Sequence, residues 1–294
     1  MNVPGSLATP RPVALIPAAA QTLWGWPAVA NFVAGGLGAG LYLTAVLAAP
    51  ATHPRTGLLA ARLGATLVLL GFAAVATEAG RPLRGARVLA RVRTSWMSRE
   101  LWLGAAFVGL AATEPVLGWP GQRPLAGLTA AGLALAQGGI LRQARGVSAW
   151  AVPIMPVVFL SSALVSGAGL LVLLEAALGG PATPLLGGAL VLLMAHALVW
   201  SAYIHGSDDA AFLAAGRALR EGGGMLVTLG GSVVAPSLAL ALAVALPAFA
   251  LPLATAAGAL MIAAQAWTKW VLVRRAGQLR AITVPSLALH RRSP

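Results

Sequence analysis

Seven acidic side chains stand against twenty basic ones in this 294-residue chain, and two of the seven bracket a run of arginines. In the stretch 77–100, TEAGRPLRGARVLARVRTSWMSRE, Glu78 and Glu100 lie at either end with Arg81, Arg84, Arg87, Arg91, Arg93 and Arg99 between them. Apolar runs flank the stretch on both sides. A carboxylate at the mouth of an apolar span is costly to keep. Two of them suit a carrier that moves two protons with two electrons, each carboxylate shuttling a proton at one oxygen of the carrier. Arg81 and Arg84 would orient Glu78 and offset transient negative charge. Asn31 is a lone amide in an apolar run, and it can either bond to a neighbouring helix or donate to a carbonyl of the carrier beside the ring of Trp26 or Trp96. Glu78 and Glu100 are therefore the candidate proton-handling residues. Asn31, Arg81, Arg84, Trp96 and Ser98 are the candidate binding residues.

The elements that must position these groups are membrane spans. Only 9% of the residues are charged and 59% are hydrophobic, and the apolar residues fall in runs of about the twenty needed to cross a bilayer. The reading is an all-α integral membrane protein with eight transmembrane helices, near residues 27–49, 58–79, 100–118, 124–142, 153–178, 184–205, 225–246 and 250–272. Together they form a single domain over 1–275, followed by a basic tail at 276–294. Gly38-Ala39-Gly40-Leu41 recurs as Gly167-Ala168-Gly169-Leu170, an offset of 129 residues. That echo suggests two four-helix bundles, about 24–145 and 150–275. Pro236 falls inside the seventh span and is expected to kink it.

With eight spans the two termini share a side, and that side carries seventeen Lys and Arg residues against three on the other. By the positive-inside rule the termini and the arginine loop face the cytoplasm. Within the loop, Arg84, Arg87 and Arg91 fall on one face of an expected short helix in the headgroup layer. It either fixes topology or forms the floor of a docking surface for a soluble subunit.

The absence of cysteine excludes an iron–sulfur cluster or thiolate zinc site held by this chain. His196 has no second mid-membrane histidine with which to hold a haem, and no metal site is expected. Glu114 and Glu175 read as interfacial carboxylates of the far face, with Arg62 as a partner. Most of the tryptophans, Trp150 among them, sit where interfacial belts are expected. The NFVAGGLGAG glycines lack the flanking strand of a dinucleotide fingerprint and read as close helix packing. Nucleic acid is not an expected partner. The bilayer is.

Three segments carry a family resemblance. EAGRPLRGARVL followed by SWMSREL, VSAWAVPIMPVVFLSSALVSGAGLLVLL, and WGWPAVANFVAGGLGAGLYL are similar to segments of the polysulfide reductase and dimethyl sulfoxide reductase membrane anchors, the NrfD-like family. The shared pattern is Gly-x-Pro-x-Arg, Ser-x-x-Ser-x-Glu, then Trp-x-x-Pro-x-x-Pro. The resemblance covers the first five spans.

It implies an anchor without haem in a bacterial or archaeal cytoplasmic membrane, serving anaerobic respiration. Such an anchor exchanges electrons between menaquinone or ubiquinone and a ferredoxin-like iron–sulfur subunit, which in turn serves a molybdopterin catalytic subunit. It also ties Glu100 to quinol binding, with Glu78 standing where the dimethyl sulfoxide reductase type has histidine, and it makes Asn31 the candidate for a pocket asparagine. The rival readings are a secondary transporter built from two four-helix repeats, which would place charge near the bilayer midplane, and a passive anchor with no redox role.

Overall fold

The computed structural model describes residues 13–78 and 89–284. Arg81, Arg84 and Arg87, and with them most of the expected loop helix, lie outside the described residues. So do the end of the basic tail and the side chain of Glu78. Among the described residues eight helices are long and apolar enough to cross a membrane: Trp26–Leu47 (span 1), Thr56–Glu78 (span 2), Trp96–Leu117 (span 3), Gln122–Gln143 (span 4), Met155–Ala177 (span 5), Thr183–Ile204 (span 6), Gly223–Ala245 (span 7) and Pro247–Arg275 (span 8). These match the apolar runs closely. The main difference is span 3, which begins at Trp96 because Ser95 caps it, its side chain accepting from the Ser98 N–H at 3.4 Å. Hydropathy finds the apolar run, whereas the cap sets the helix start. Glu100 therefore lies a full turn inside the helix, on the same face as Trp96, and not at its mouth.

Spans 1 to 4 pack as a ring in which 1 meets 2, 2 meets 3, 3 meets 4 and 4 meets 1. Spans 5 to 8 form a second such ring, and the two join where span 5 meets spans 1 and 4. The repeated glycine strings make that junction. A Cβ on Gly167 would stand 2.0 Å from the Gly40 carbonyl carbon, and one on Gly40 would stand 1.8 Å from the Ala163 carbonyl oxygen. The backbones of spans 1 and 5 are thus in direct contact, as small residues permit in membrane helices. Gly169 meets Gly258 of span 8 in the same way, a Cβ there lying 2.7 Å from the Gly258 carbonyl oxygen.

Pro236 acts differently from a simple kink. Residues Leu226–Val234 are π-helical, with the Ala235 N–H donating to the Gly230 carbonyl five residues back, and a regular α-helix runs over Ala235–Ala245. Proline lacks an N–H and crowds the carbonyl four residues before it. Widening the preceding turns to i→i+5 relieves both, as π-bulges do.

On the terminal side the first and last described segments pair with each other. Strand β1 (Val13–Ile16) runs antiparallel to β4 (Ile282–Val284), and β2 (Ala19–Ala20) to β3 (Gln278–Leu279). The expected tail thus begins as a partner of the N-terminal arm. Trp150 is buried, its Nε1 donating to the Leu272 carbonyl at 2.8 Å and its ring stacked on Trp24 at 5.1 Å. It ties the start of span 5 to the end of span 8 and does not belong to an interfacial belt.

Candidate functional site

Glu100 and Asn31 meet. The Asn31 Nδ2 donates to Glu100 Oε1 at 2.8 Å, a contact between spans 1 and 3 across 69 residues of chain. Both side chains are buried. Gln137 of span 4 completes the cluster, its Nε2 donating to the Asn31 carbonyl at 3.2 Å and, more weakly, to Glu100 Oε1 at 3.3 Å. Glycine makes room for these approaches. A Cβ on Gly35 would stand 2.5 Å from Gln137 Nε2, and one on Gly71 would stand 3.0 Å from Asn31 Oδ1. Asn31 Oδ1 is buried without a hydrogen-bond partner among the described residues, an expensive condition unless something donates to it.

Trp96 and Ser98 flank Glu100 on span 3. Ser98 is buried. Trp96 packs its indole against Gly139, where a Cβ would lie 2.5 Å from Cδ2, and carries the Arg99 guanidinium 4.4 Å above its ring. Among the described residues Arg99 makes no ion pair. It donates to the carbonyls of Val92 at 3.0 Å and Arg93 at 2.8 Å, and Trp102 Nε1 donates to Leu89 at 3.0 Å, so the returning loop is pinned over the start of span 3. Trp96 also forms one wall of a surface cavity of about 450 Å³ lined by Arg142, Gln143, Arg145, Ala151 and Pro153. This cavity opens on the basic side. Glu78 ends span 2 on that side too.

The far-face carboxylates have partners other than the expected Arg62. Glu175 accepts from the His53 N–H at 3.1 Å and from Thr56 Oγ1, which satisfies the start of span 2. Glu114 bonds Arg123 and accepts from the Tyr42 hydroxyl at 2.8 Å. Neither partner is Arg62, because Thr56 and His53 bring unpaired donors to Glu175 and Arg123 opens the helix that follows Glu114. Tyr42, His53, Glu114 and Arg123 line a cavity of about 190 Å³.

A second polar group sits beside the first. Lys269 of span 8 is buried and donates from Nζ to the Phe32 carbonyl at 2.9 Å. His196 uses both ring nitrogens, one with Ser161 Oγ at 2.9 Å and one with Gln265 Nε2 at 3.0 Å. Gln137, Gln265 and Lys269 were not singled out from the sequence. The first two are amides within apolar runs, the signal that marked Asn31. Lys269 stands close enough to the end of its run to be counted with the loop charges.

Residues 20–117, which hold spans 1 to 3 with Asn31, Glu78 and Glu100, match a family model. It is that of the DMSO reductase anchor subunit (DmsC). Over this stretch the chain is similar to the DMSO reductase anchor subunit. The match covers a third of the chain, including the Ser-x-x-Ser-x-Glu string. No curated protein matches the chain.

Proposed function

We propose that the chain is the quinone-reactive anchor of a molybdopterin–iron–sulfur oxidoreductase, with its proton-handling site at Glu100, Asn31 and Gln137. Electrons would pass between membrane quinone and an iron–sulfur subunit docked on the arginine-rich side, which the charge asymmetry assigns to the cytoplasm. The observation that carries this reading is the Asn31–Glu100 hydrogen bond. Two residues singled out on separate grounds, one in each of two spans, meet in one buried hydrogen bond.

The side chains present offer polar partners for a quinol head group. Asn31 Oδ1 is a buried acceptor without a hydrogen-bond partner among the described residues, beside the Glu100 carboxylate. Such a group, when bound, supplies two electrons and two protons. Glu100 is placed to accept a proton at its carboxylate, because Asn31 and Gln137 hold Oε1 in a fixed direction. Trp96 and the spans around it exclude bulk water from that carboxylate. Glu78, Arg81 and Arg84 belong to the same side and remain the candidates for the second proton and for charge compensation. A passive anchor would have no use for a buried carboxylate with two amide donors and an unused amide acceptor beside it.

Asn31→Ala tests the reading at its hydrogen bond. In the assembled complex the KM for quinol is expected to rise about tenfold, the cost of one hydrogen bond to a charged group. Turnover driven by a soluble donor that reduces the iron–sulfur subunit directly should be unchanged. An unaltered KM in a normally assembled complex would remove the support.

A further inference from the structure

The position of Lys269 asks for a reason. Six residues before the end of span 8, it lies within reach of the interface, where a lysine ordinarily extends its ammonium to water. Here the side chain turns inward and is 4% exposed. Its contacts are the Phe32 carbonyl at 2.9 Å and the face of the Phe159 ring at 5.7 Å. On another side lies a small void of about 10 Å³ lined by Ser162, His196, Gln265 and Thr268. Among the described residues no carboxylate is within ion-pair distance of it. A buried cation left without a counter-ion is costly.

Gln137 connects this cation to Glu100. Its amide orientation is decided by its neighbours, since the Asn31 carbonyl and the Glu100 carboxylate both require the N–H₂ end. The Oε1 end must then face the other way. It faces Gly36, where a single hypothetical Cβ would lie 3.5 Å from Gln137 Oε1 and 2.5 Å from Lys269 Nζ. Glycine at 36 is therefore what lets the cation and the amide oxygen approach the same small space, and Oε1 accepts no hydrogen bond from Lys269 or from any other described residue. The amide dipole lies between the two charges with its donor end on the carboxylate and its acceptor end toward the ammonium. A lysine turned toward this oxygen favours that orientation and disfavours the flipped one, which would present a carbonyl oxygen to Glu100.

We propose that Lys269 is a positioning residue and counter-cation for Glu100, acting through the side chain of Gln137 across the Gly35-Gly36 face of span 1. The inference extends the proposed proton-handling role of Glu100, but the coupling between the two charges is independent of any quinone. The titratable and charged groups that face this line among the described residues are Glu100 from span 3, Lys269 from span 8 and His196 from span 6. Asn31, Phe32 and Gln137 contribute only uncharged groups, and Arg99 is turned away onto Trp96.

The test uses the full complex in lipid nanodiscs with quinone removed. The carboxyl C=O stretch of Glu100 is identified in infrared difference spectra by its loss in Glu100→Gln and titrated against pH. Lys269→Met is expected to move the titration midpoint by about one pH unit, a tenfold change in the proton equilibrium. Lys269→Arg, which keeps the charge, is expected to restore most of the wild-type midpoint. Gln137→Leu leaves both charges and removes the amide between them, so it should also move the midpoint, and it stands in if Lys269→Met does not assemble. A midpoint unmoved in either assembled variant would overturn the proposal and leave Lys269 a purely structural residue. Should Glu100→Gln leave quinol turnover intact while Lys269→Met moves the midpoint, the quinone reading fails and the charge coupling stands.

Discussion

Replacing Glu100 by glutamine is expected to lower quinol-linked turnover of the assembled complex by a hundredfold or more, the range for removal of a general acid–base group. The substitution is nearly isosteric. Asn31 Nδ2 and Gln137 Nε2 both donate to Oε1, and a glutamine oxygen in the same place can still accept from them, so the contacts between spans 1, 3 and 4 survive. What is lost is the ability to take a proton. Turnover from a soluble donor to the iron–sulfur subunit should be unaffected, which separates a lost proton acceptor from lost assembly. Glu100→Asp, shorter by one methylene, keeps the acid but withdraws it from Asn31 and should fall between the two. Undiminished quinol-linked turnover in normally assembled Glu100→Gln would contradict the account.

The second large effect is structural. Gly167→Ala places a methyl carbon 2.0 Å from the Gly40 carbonyl carbon, 2.3 Å from the Leu41 nitrogen and 2.4 Å from the Gly40 oxygen. All three are backbone atoms, so no rotamer change can relieve the overlap. Spans 1 and 5 must separate, and with them the junction between the two four-helix rings. Overpacking in a tight interior costs about 1–3 kcal/mol, occasionally more, and a backbone clash lies at the upper end. The expected result is little folded protein in detergent-solubilised membranes by fluorescence-detected size exclusion. Gly187→Ala is the control, since nothing lies within 4 Å of a Cβ at that position. It should leave the profile and the Tm unchanged or slightly improved, alanine being the better helix former. A Gly167→Ala protein with the wild-type Tm would refute the direct backbone contact.

Much of the fold was legible because its driving pattern is simple. Eight apolar runs of spanning length become eight spans, since an unpaired backbone cannot be left in hydrocarbon. The repeated Gly-Ala-Gly-Leu string pointed toward two halves, and its physical meaning is that the strings pack near one another at the crossing of spans 1 and 5. Hydropathy could not find the start of span 3, because a serine cap and a turn of polar residues carry that information. The shift matters for the site, as it moves Glu100 from the helix mouth to the interior.

The site was legible in part. Asn31 and Glu100 stood out as polar groups where polarity is expensive, and the structure brings them together. Gln137 carried the same signal in the apolar run of span 4 and was passed over. Lys269 was misread because a charge near the end of an apolar run has the same appearance whether it reaches outward to the headgroups or, as here, turns inward to the Phe32 carbonyl. The choice depends on which neighbour offers an acceptor, and the neighbour is more than two hundred residues away in sequence. The partners of Glu114 and Glu175 were missed for the same reason.

The most direct test of the central claim is photolabelling of the assembled complex with a photoactivatable quinone analogue, followed by peptide mapping with excess unmodified quinone as competitor. The account predicts competed label in the peptides around Asn31, Trp96–Glu100 and Gln137, and its loss when Asn31 is replaced. Competed label confined to the opposite face, in the cavity lined by Tyr42, His53, Glu114 and Arg123, would contradict it.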